Sequence, residues 1–344
     1  MRRVIFGAAL VLVVVVVLAL RGSVSPPTAE PEQVERVGVT GLAWADVVLA
    51  DGVDRPEHVA ADSRHAVFAR RAPDGAWRLG SRAVGGGPVA DVVLGRAAPA
   101  PLKFELIGGG LVAHQTSGDG VDVFAADVAG GARPVATARF ATGSFAAAGG
   151  VLAVQEGENC LTFLDAADLG RRGQRCPDAG WTTSLLTGEA DAVQWRETTP
   201  GQECAVWYRL GADATPERVP SGPDACRSAL LVRADDWELT AAFPPYEVGV
   251  AFPGPLTARQ GDRVLTLDTS VLNVHRCGGH VYWLSNPGNT DRRGELARWT
   301  PGETTVEVLG DVTGATPPRC VNGVLNVLFH GVDGVPRLRT LANP

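Results

Sequence analysis

Sequence features that would indicate an enzyme or a metalloprotein are missing from this 344-residue chain. It contains no Gly-x-Ser-x-Gly motif, which excludes a serine hydrolase with that nucleophile turn. Its six cysteines form no Cys-x-x-Cys pair and have no histidines at zinc spacing, so a zinc site and a catalytic dithiol are both disfavoured. No carboxylate cluster accompanies the six histidines. The sequence therefore predicts no catalytic residue, no cofactor and no metal ligand.

Lysine is nearly absent as well. Lys103 is the only lysine among 31 basic residues, which with the many alanines and glycines indicates the codon usage of a GC-rich bacterial genome rather than a chemical role. The formal net charge is −7. An acidic chain is unsuited to nucleic acid or an anionic membrane surface as its main partner, so we expect no nucleic-acid partner.

One apolar run, residues 4–20, is long enough to cross the cytoplasmic membrane. A spanning helix needs roughly 17 to 25 residues, whereas the core of a signal peptide is usually shorter. Arg2 and Arg3 precede the run and would keep the N-terminus in the cytoplasm. Residues 1–21 are therefore predicted to be a signal anchor in the cell membrane, with the rest of the chain on the extracytoplasmic side.

Cleavage signals after this run are poor, because the small-x-small candidate Ser23-Val24-Ser25 is followed by two prolines. Secretion after cleavage is the alternative. No cysteine follows the run, which excludes a lipid-anchored protein at this end. Residues 22–35 contain three prolines and several polar residues, and we predict that they form an extended tether.

The remainder of the chain repeats. The stretch Ala45 to Leu49 returns 45 positions later as Ala90 to Leu94. Turn signals for β-hairpins, each between two apolar runs, recur at steps of 37 to 46 residues with one step of 87. Asp-Gly is a strong signal of this kind because both central residues of the turn need positive φ. These turns are Asp74-Gly75, Asp119-Gly120, Gly157, Gly201, Asn286-Pro287-Gly288-Asn289 and Asp333-Gly334. Halving the long step predicts a seventh hairpin at Pro244-Pro245, between residues 239–243 and 248–252.

Glycine-rich turns give a second landmark in the same register. In several repeats such a turn directly precedes the strand that leads into the hairpin. Units of about 40 to 50 residues with short strands are typical of β-propeller blades of four strands each. Residues 36–344 are therefore predicted to be an all-β, seven-bladed β-propeller. Residues 45–49 are expected to pair beside residues 335–341 in the last blade and to close the ring.

Over residues 38–344 this repeat resembles the broad superfamily of bacterial extracytoplasmic propellers, the TolB-like and WD40-like groups. The chain has no Gly-His to Trp-Asp blade signature and no series of kelch motifs. The resemblance implies partner binding more often than catalysis.

The cysteines all lie beyond residue 159, and disulfides in an oxidising compartment explain them best. Two of them follow hairpin glycines and have a second cysteine near the end of the same blade, while two others occupy matching positions in neighbouring blades. One of the fifteen possible pairings fits this register. The predicted disulfides are Cys160–Cys176, Cys204–Cys226 and Cys277–Cys320.

Arg276 and Arg319 each precede a cysteine of the matched pair, Cys277 and Cys320. If they point inward near the channel end, they could hold an anion or a partner carboxylate. The alternative is two exposed arginines at strand ends.

Together these features predict a membrane-tethered extracytoplasmic propeller that binds a protein or a ligand of the cell envelope. The alternative is an envelope hydrolase or lyase with an active site built from blade loops. Two or more buried carboxylates, or a histidine cluster, at one end of the channel would favour the enzyme. A purely structural spacer would have no concave polar site.

Overall fold

The computed structural model describes residues 31–47, 59–92, 103–107, 110–117, 120–128, 134–141, 144–156, 159–189, 192–199, 205–211, 213, 215–219, 228–242, 254–285, 293–313, 318–330 and 336–342. These ranges form strands and turns. Within them, no segment is a helix with the length and apolar character that a membrane crossing requires. The predicted signal anchor, residues 1–21, lies outside the described residues.

Three short strands precede the first blade: β1 (Glu32–Gln33), β2 (Glu35–Gly38) and β3 (Ala45–Val47). Blade I contains β4 (Val59–Ala61), β5 (His65–Arg71), β6 (Trp77–Ala83) and β7 (Ala90–Val92). Blade II contains β8 (Lys103–Ile107), β9 (Gly110–Ser117), β10 (Gly120–Asp127) and β11 (Ala136–Phe140). Blade III contains β12 (Phe145–Ala148), β13 (Val151–Glu156), β14 (Cys160–Asp165) and β15 (Arg171–Arg175).

Blade IV contains β16 (Thr182–Glu189), β17 (Ala192–Thr198), β18 (Val206–Leu210) and β19 (Pro216–Arg218). Blade V contains β20 (Ser228–Ala234), β21 (Trp237–Ala242), β22 (Leu256–Gln260) and β23 (Arg263–Asp268). Blade VI contains β24 (Val271–Cys277), β25 (His280–Ser285), β26 (Arg293–Trp299) and β27 (Thr305–Thr313). Blade VII contains β28 (Arg319–Val321), β29 (Val324–His330) and β30 (Pro336–Ala342), with β3 as its outer strand. Seven antiparallel blades confirm the predicted seven-bladed propeller.

The second strand of a blade lies inside the sheet and is covered by blades on both faces. Residues 151–154 of β13 are accordingly all buried and read as a continuous apolar run. The outer strand β15 of the same blade is largely exposed and rich in arginine. Apolar side chains of adjacent blades form shared clusters, and Trp195, Trp283 and Trp299 are among the largest fully buried side chains. Packing between blades therefore supplies the core, as expected from burial of apolar area.

The predicted turn Asp74-Gly75 joins the expected strands. Gly75 adopts φ +81° in the turn between β5 and β6, which is the left-handed conformation that this hairpin needs. In blade V, β21 and β22 pair antiparallel, as a hairpin around Pro244-Pro245 requires, and β22 begins at Leu256. Residues 248–252, which we expected to form this strand, lie outside the described residues.

Two of the three predicted disulfides are confirmed. Cys160–Cys176 lies within blade III, and Cys277–Cys320 joins the first strand of blade VI to the first strand of blade VII. Cys204 and Cys226 lie outside the described residues.

β3 pairs antiparallel with β30, almost 300 residues away in sequence, with Asp46 opposite Arg339. The Arg339 Nε donates to Asp46 Oδ1 at 2.8 Å. The seam between blades VII and I has a second link, because the Asn326 amide accepts a hydrogen bond from the Ala61 N–H and donates one to the Ala61 carbonyl, both at 2.7 Å. Asn326 is 4% exposed, so both backbone groups depend on this one side chain.

Asn326→Ala is expected to lower the free energy of unfolding by about 2 to 4 kcal/mol, because it leaves two backbone groups of Ala61 without their partner. The matched control is Gln194→Ala in blade IV, where the amide donates one longer bond, 3.3 Å, to the Leu231 carbonyl of the next blade. Denaturant unfolding of both variants measures the difference. Equal losses of unfolding free energy in the two variants would show that the hydrogen bonds between Asn326 and Ala61 have no special role at the seam.

The N-terminal strap, defined as residues 31–44, runs along the outer rim of the ring. β1 adds to β23 as a fifth, parallel strand of blade V, and β2 adds to β27 in the same way on blade VI. β1 falls within the range that the sequence assigns to the tether. β1 can pair there because the outer strand β23 of blade V, which is distant in sequence, offers a free edge.

Candidate functional site

The first strands of the blades surround the central channel, since most neighbouring first strands contact one another: β4 with β8, β8 with β12, β12 with β16, β20 with β24, and β24 with β28. Three ionisable side chains of these strands interact with one another: Glu105 of β8, His275 of β24 and Arg319 of β28. Their blades are II, VI and VII. We call these three residues the channel cluster.

Arg319 Nη1 lies 3.5 Å from Glu105 Oε1, and each side chain keeps about a third of its surface, 36% and 35%. Blade I stands between the two blades that carry them, so the ion pair bridges the seam between blade VII and blade I. Such exposure fits groups that border a water-accessible channel.

The protein environment shifts two proton equilibria in this cluster. Burial raises the pKa of the Glu105 carboxyl, and the nearby Arg319 offsets this only in part. Burial, with a smaller contribution from the positive charge of Arg319, lowers the pKa of His275 from 6.5 to about 4. At neutral pH the channel cluster therefore combines a neutral imidazole, a guanidinium and a carboxyl group that takes up a proton more readily than usual.

Arg276 does not join this cluster in the same way. Its Nη2 lies 2.9 Å from Asp235 Oδ1 in the turn that precedes β21, and its Nη1 donates to the Arg233 carbonyl at 3.5 Å. Each of the two predicted arginines thus has its own carboxylate partner, Asp235 for one and Glu105 for the other. Arg319 is the one whose partner lies in a non-adjacent blade, blade II.

The arrangement is suited to hydrogen bonding and charge pairing with a ligand. Arg319 can pair with a carboxylate or another anion in place of Glu105, and a protonated Glu105 can donate a hydrogen bond. In the part of the chain that the structure describes, no group of three His, Cys, Asp or Glu could hold a metal ion.

Sequence reasoning missed Glu105 and gave His275 no role. Glu105 stands between the buried Phe104 and Leu106 in the first strand of its blade, and a charged residue in such a strand was the available signal. Its partner Arg319 is more than 200 positions away, so the pairing itself had no sequence signature.

The pKa of His275 predicts a dependence of stability on pH. The unfolded chain takes up the His275 proton near pH 6.5 but the folded chain only near pH 4, so unfolding becomes easier as the pH falls through this window. The loss attributable to His275 is expected to reach about 3 kcal/mol at pH 4, since each pKa unit corresponds to 1.36 kcal/mol. His275→Asn should remove this part of the slope, measured by denaturant unfolding between pH 4 and 7. An unchanged slope would show that His275 does not titrate as the structure indicates.

No protein-family profile matches the chain, and no curated protein matches it in sequence. Several solved structures are similar to it in fold. The propeller domain of the Trilobed protease from Pyrococcus furiosus, described as having an open velcro topology, superposes with a TM-score of 0.54 at 10% identity over 82% of this chain and 92% of that one. The WD40 domain of Toxoplasma gondii coronin gives a TM-score of 0.50 at 11% identity over 90% and 89% of the two chains.

The fold is that of a β-propeller. The predicted resemblance to WD40-like propellers is confirmed for the fold. BamB from Moraxella catarrhalis is also similar, with a TM-score of 0.49 at 13% identity over 86% of this chain and 97% of that one. Identities of 10 to 13% concern the propeller fold alone.

Proposed function

We propose that this propeller is a membrane-tethered extracytoplasmic scaffold that binds a protein or a cell-envelope ligand through the channel cluster. The observation that carries the proposal is the ion pair between Arg319 and Glu105, which joins blade VII to blade II. Charged groups of this kind recognise complementary charges on a partner.

Two further features support the extracytoplasmic location. The disulfides Cys160–Cys176 and Cys277–Cys320 are of the kind that persists in oxidising compartments. The apolar run of residues 4–20 supplies the tether to the cytoplasmic membrane.

We further propose that the pairing of β3 with β30 closes the ring. An open ring exposes strand edges and can separate at its seam. Because Arg319 and Glu105 lie on either side of this seam, closure and the binding site would be lost together.

An envelope hydrolase or lyase is the second candidate, favoured by the raised pKa of Glu105, since general acids often have such pKa values. Glycoside hydrolysis uses two carboxyl groups. The channel cluster contains a single carboxyl group, that of Glu105. Binding is therefore the better supported function.

Affinity capture from envelope extracts with the full-length chain in detergent tests the proposal. A partner is expected to be retained by the unsubstituted chain and by Arg276→Ala, and to be lost with Arg319→Ala. Retention by Arg319→Ala would contradict a role for the channel cluster. Turnover of an envelope polysaccharide or peptide that disappears in Glu105→Gln would favour the enzyme.

A further inference from the structure

The N-terminal strap pairs with the outer rim through its backbone. The Glu35 N–H donates to the Thr304 carbonyl and the Val39 N–H donates to the Val308 carbonyl, each at 2.9 Å. Between them β2 stays in parallel register with β27. An extended segment laid on the edge of a sheet in this way is the geometry of strand addition, in which backbone bonds give affinity and side-chain pockets give specificity.

Arg36 is the side chain that enters such a pocket. Its Nη1 donates to Asp268 Oδ2 at 2.8 Å, while its Nη2 donates to Ser285 Oγ at 3.1 Å and to Glu295 Oε2 at 2.9 Å. Asp268 belongs to blade V, and Ser285 and Glu295 belong to blade VI. One guanidinium thus bridges two blades at the rim.

The acceptor for this guanidinium is built by the blades themselves. The Asp268 side chain is only 7% exposed, and it accepts a hydrogen bond from Trp283 Nε1 at 2.7 Å and another from the Ser285 hydroxyl. Burial raises the pKa of Asp268, but the hydrogen bonds from Ser285, Trp283 and Arg36 outweigh it, so that the pKa lies below its ordinary value. A buried carboxylate of this kind requires a cation beside it.

The interface between blades III and IV contains a related set with its own arginine. There the Trp195 indole N–H donates to Glu197 at 3.2 Å, and Arg175 of β15 makes two bonds to the same carboxylate at 2.7 and 2.9 Å. At the interface of blades V and VI the arginine comes from the strap instead. The pocket around Asp268 is therefore built to receive a guanidinium from a separate segment.

The strap fills this rim only in part. Glu32, Gln33 and Glu35 are exposed. A cleft of about 250 Å³ lies between the strap and the two blades, lined by Gln33, Val34, Arg36, Thr266, Asp268 and Glu295. Leu42 and Trp44, at the end of the strap next to β3, pack against the apolar cluster of blades VI and VII. Release therefore concerns residues 31–40, which include β1 and β2, and is expected to leave the pairing of β3 with β30 in place. Segments with exposed side chains and few buried contacts open at low free-energy cost.

We propose that the outer edges of β23 and β27, with the Asp268 and Glu295 carboxylates between them, form a docking surface for an extended arginine-bearing segment of a partner protein. In the free chain the strap occupies this surface. This surface lies at the rim and is separate from the channel cluster.

The test uses the full-length chain in detergent with the substitutions Val34→Asp and Arg36→Ala, which weaken the strap, and a fluorescent peptide of residues 31–40 as the probe. The peptide is expected to bind this variant and to bind the unsubstituted chain at least about tenfold more weakly, because the attached strap competes at high effective concentration. A peptide carrying Arg36→Ala should bind roughly thirtyfold more weakly, since it leaves the buried Asp268 unpaired. A peptide carrying Arg36→Lys should recover part of the affinity, because lysine supplies the positive charge but not the planar guanidinium that bonds several acceptors at once.

Absence of peptide binding to the variant, with its circular dichroism and unfolding midpoint retained, would overturn the proposal, as would equal binding of the Arg36→Ala peptide. If the variant fails to fold, hydrogen exchange of the unsubstituted chain tests whether the strap opens locally. The Glu35 and Val39 amides should exchange roughly a hundredfold faster than the amides that join β26 to β27, as expected for local opening of the strap. Equal protection of the two sets would contradict a releasable strap.

Discussion

Val47→Asp is expected to open the ring, whereas Val92→Asp at the matching position of blade I is not. Both valines are 4% exposed and stand third in an Ala-Asp-Val outer strand, so both substitutions place a charge in an apolar cluster. Each should cost about 3 kcal/mol or more in the free energy of unfolding. Only Val47 lies on the strand that ties the N-terminal segment to the last blade.

The two variants are therefore distinguished by shape and not only by stability. Val47→Asp should increase the hydrodynamic radius below the unfolding transition and admit protease at the seam between blades VII and I. Val92→Asp should unfold at a lower denaturant concentration than the unsubstituted chain. Its hydrodynamic radius below the transition should be unchanged. The same radius for both variants would mean that β3 adds stability without closing the ring.

Replacing Cys277 and Cys320 by alanine is expected to lower the free energy of unfolding by about 4 kcal/mol, because the disulfide closes a loop of 43 residues. Replacing Cys160 and Cys176, whose loop spans 16 residues, should cost about 3 kcal/mol. Denaturant unfolding under non-reducing conditions measures both.

The two disulfides should differ more clearly in their effect on the channel. Cys320 directly follows Arg319, and Cys277 lies two residues after His275. Loss of this bond should therefore alter the pH dependence of stability between pH 4 and 6.5, whereas loss of Cys160–Cys176 should leave it unchanged. Identical pH profiles for the two alanine pairs would contradict a link between this disulfide and the channel cluster.

The blade count could be predicted because it depends on local signals that recur. Asp-Gly and Gly-Gly turns impose backbone conformations that few other residues adopt, and they mark the same positions in successive blades. The pairing of Cys277 with Cys320 followed from the same register, since equivalent positions of neighbouring blades lie side by side.

The strap and the channel cluster could not be predicted in this way. Glu32 and Gln33 have low strand propensity, and they form a strand only because β23 offers a free edge. Glu105 and Arg319 meet because seven blades bend the chain into a circle, which no short-range pattern encodes. Arg319 was singled out from its place beside a cysteine, and its partner could be found only from the fold.

Ring closure is tested most directly by a cross-link between β3 and β30 in the Asp46→Cys, Arg339→Cys variant. The two residues are direct antiparallel partners, and Cα atoms of such pairs lie about 4.5 to 5.5 Å apart, within the range of a disulfide. The control is Asp91→Cys with Arg339→Cys, because Asp91 pairs within blade I. Non-reducing peptide mapping should find positions 46 and 339 joined, and positions 91 and 339 as free thiols. Free thiols at 46 and 339 in the folded protein would contradict closure and the channel cluster that depends on it.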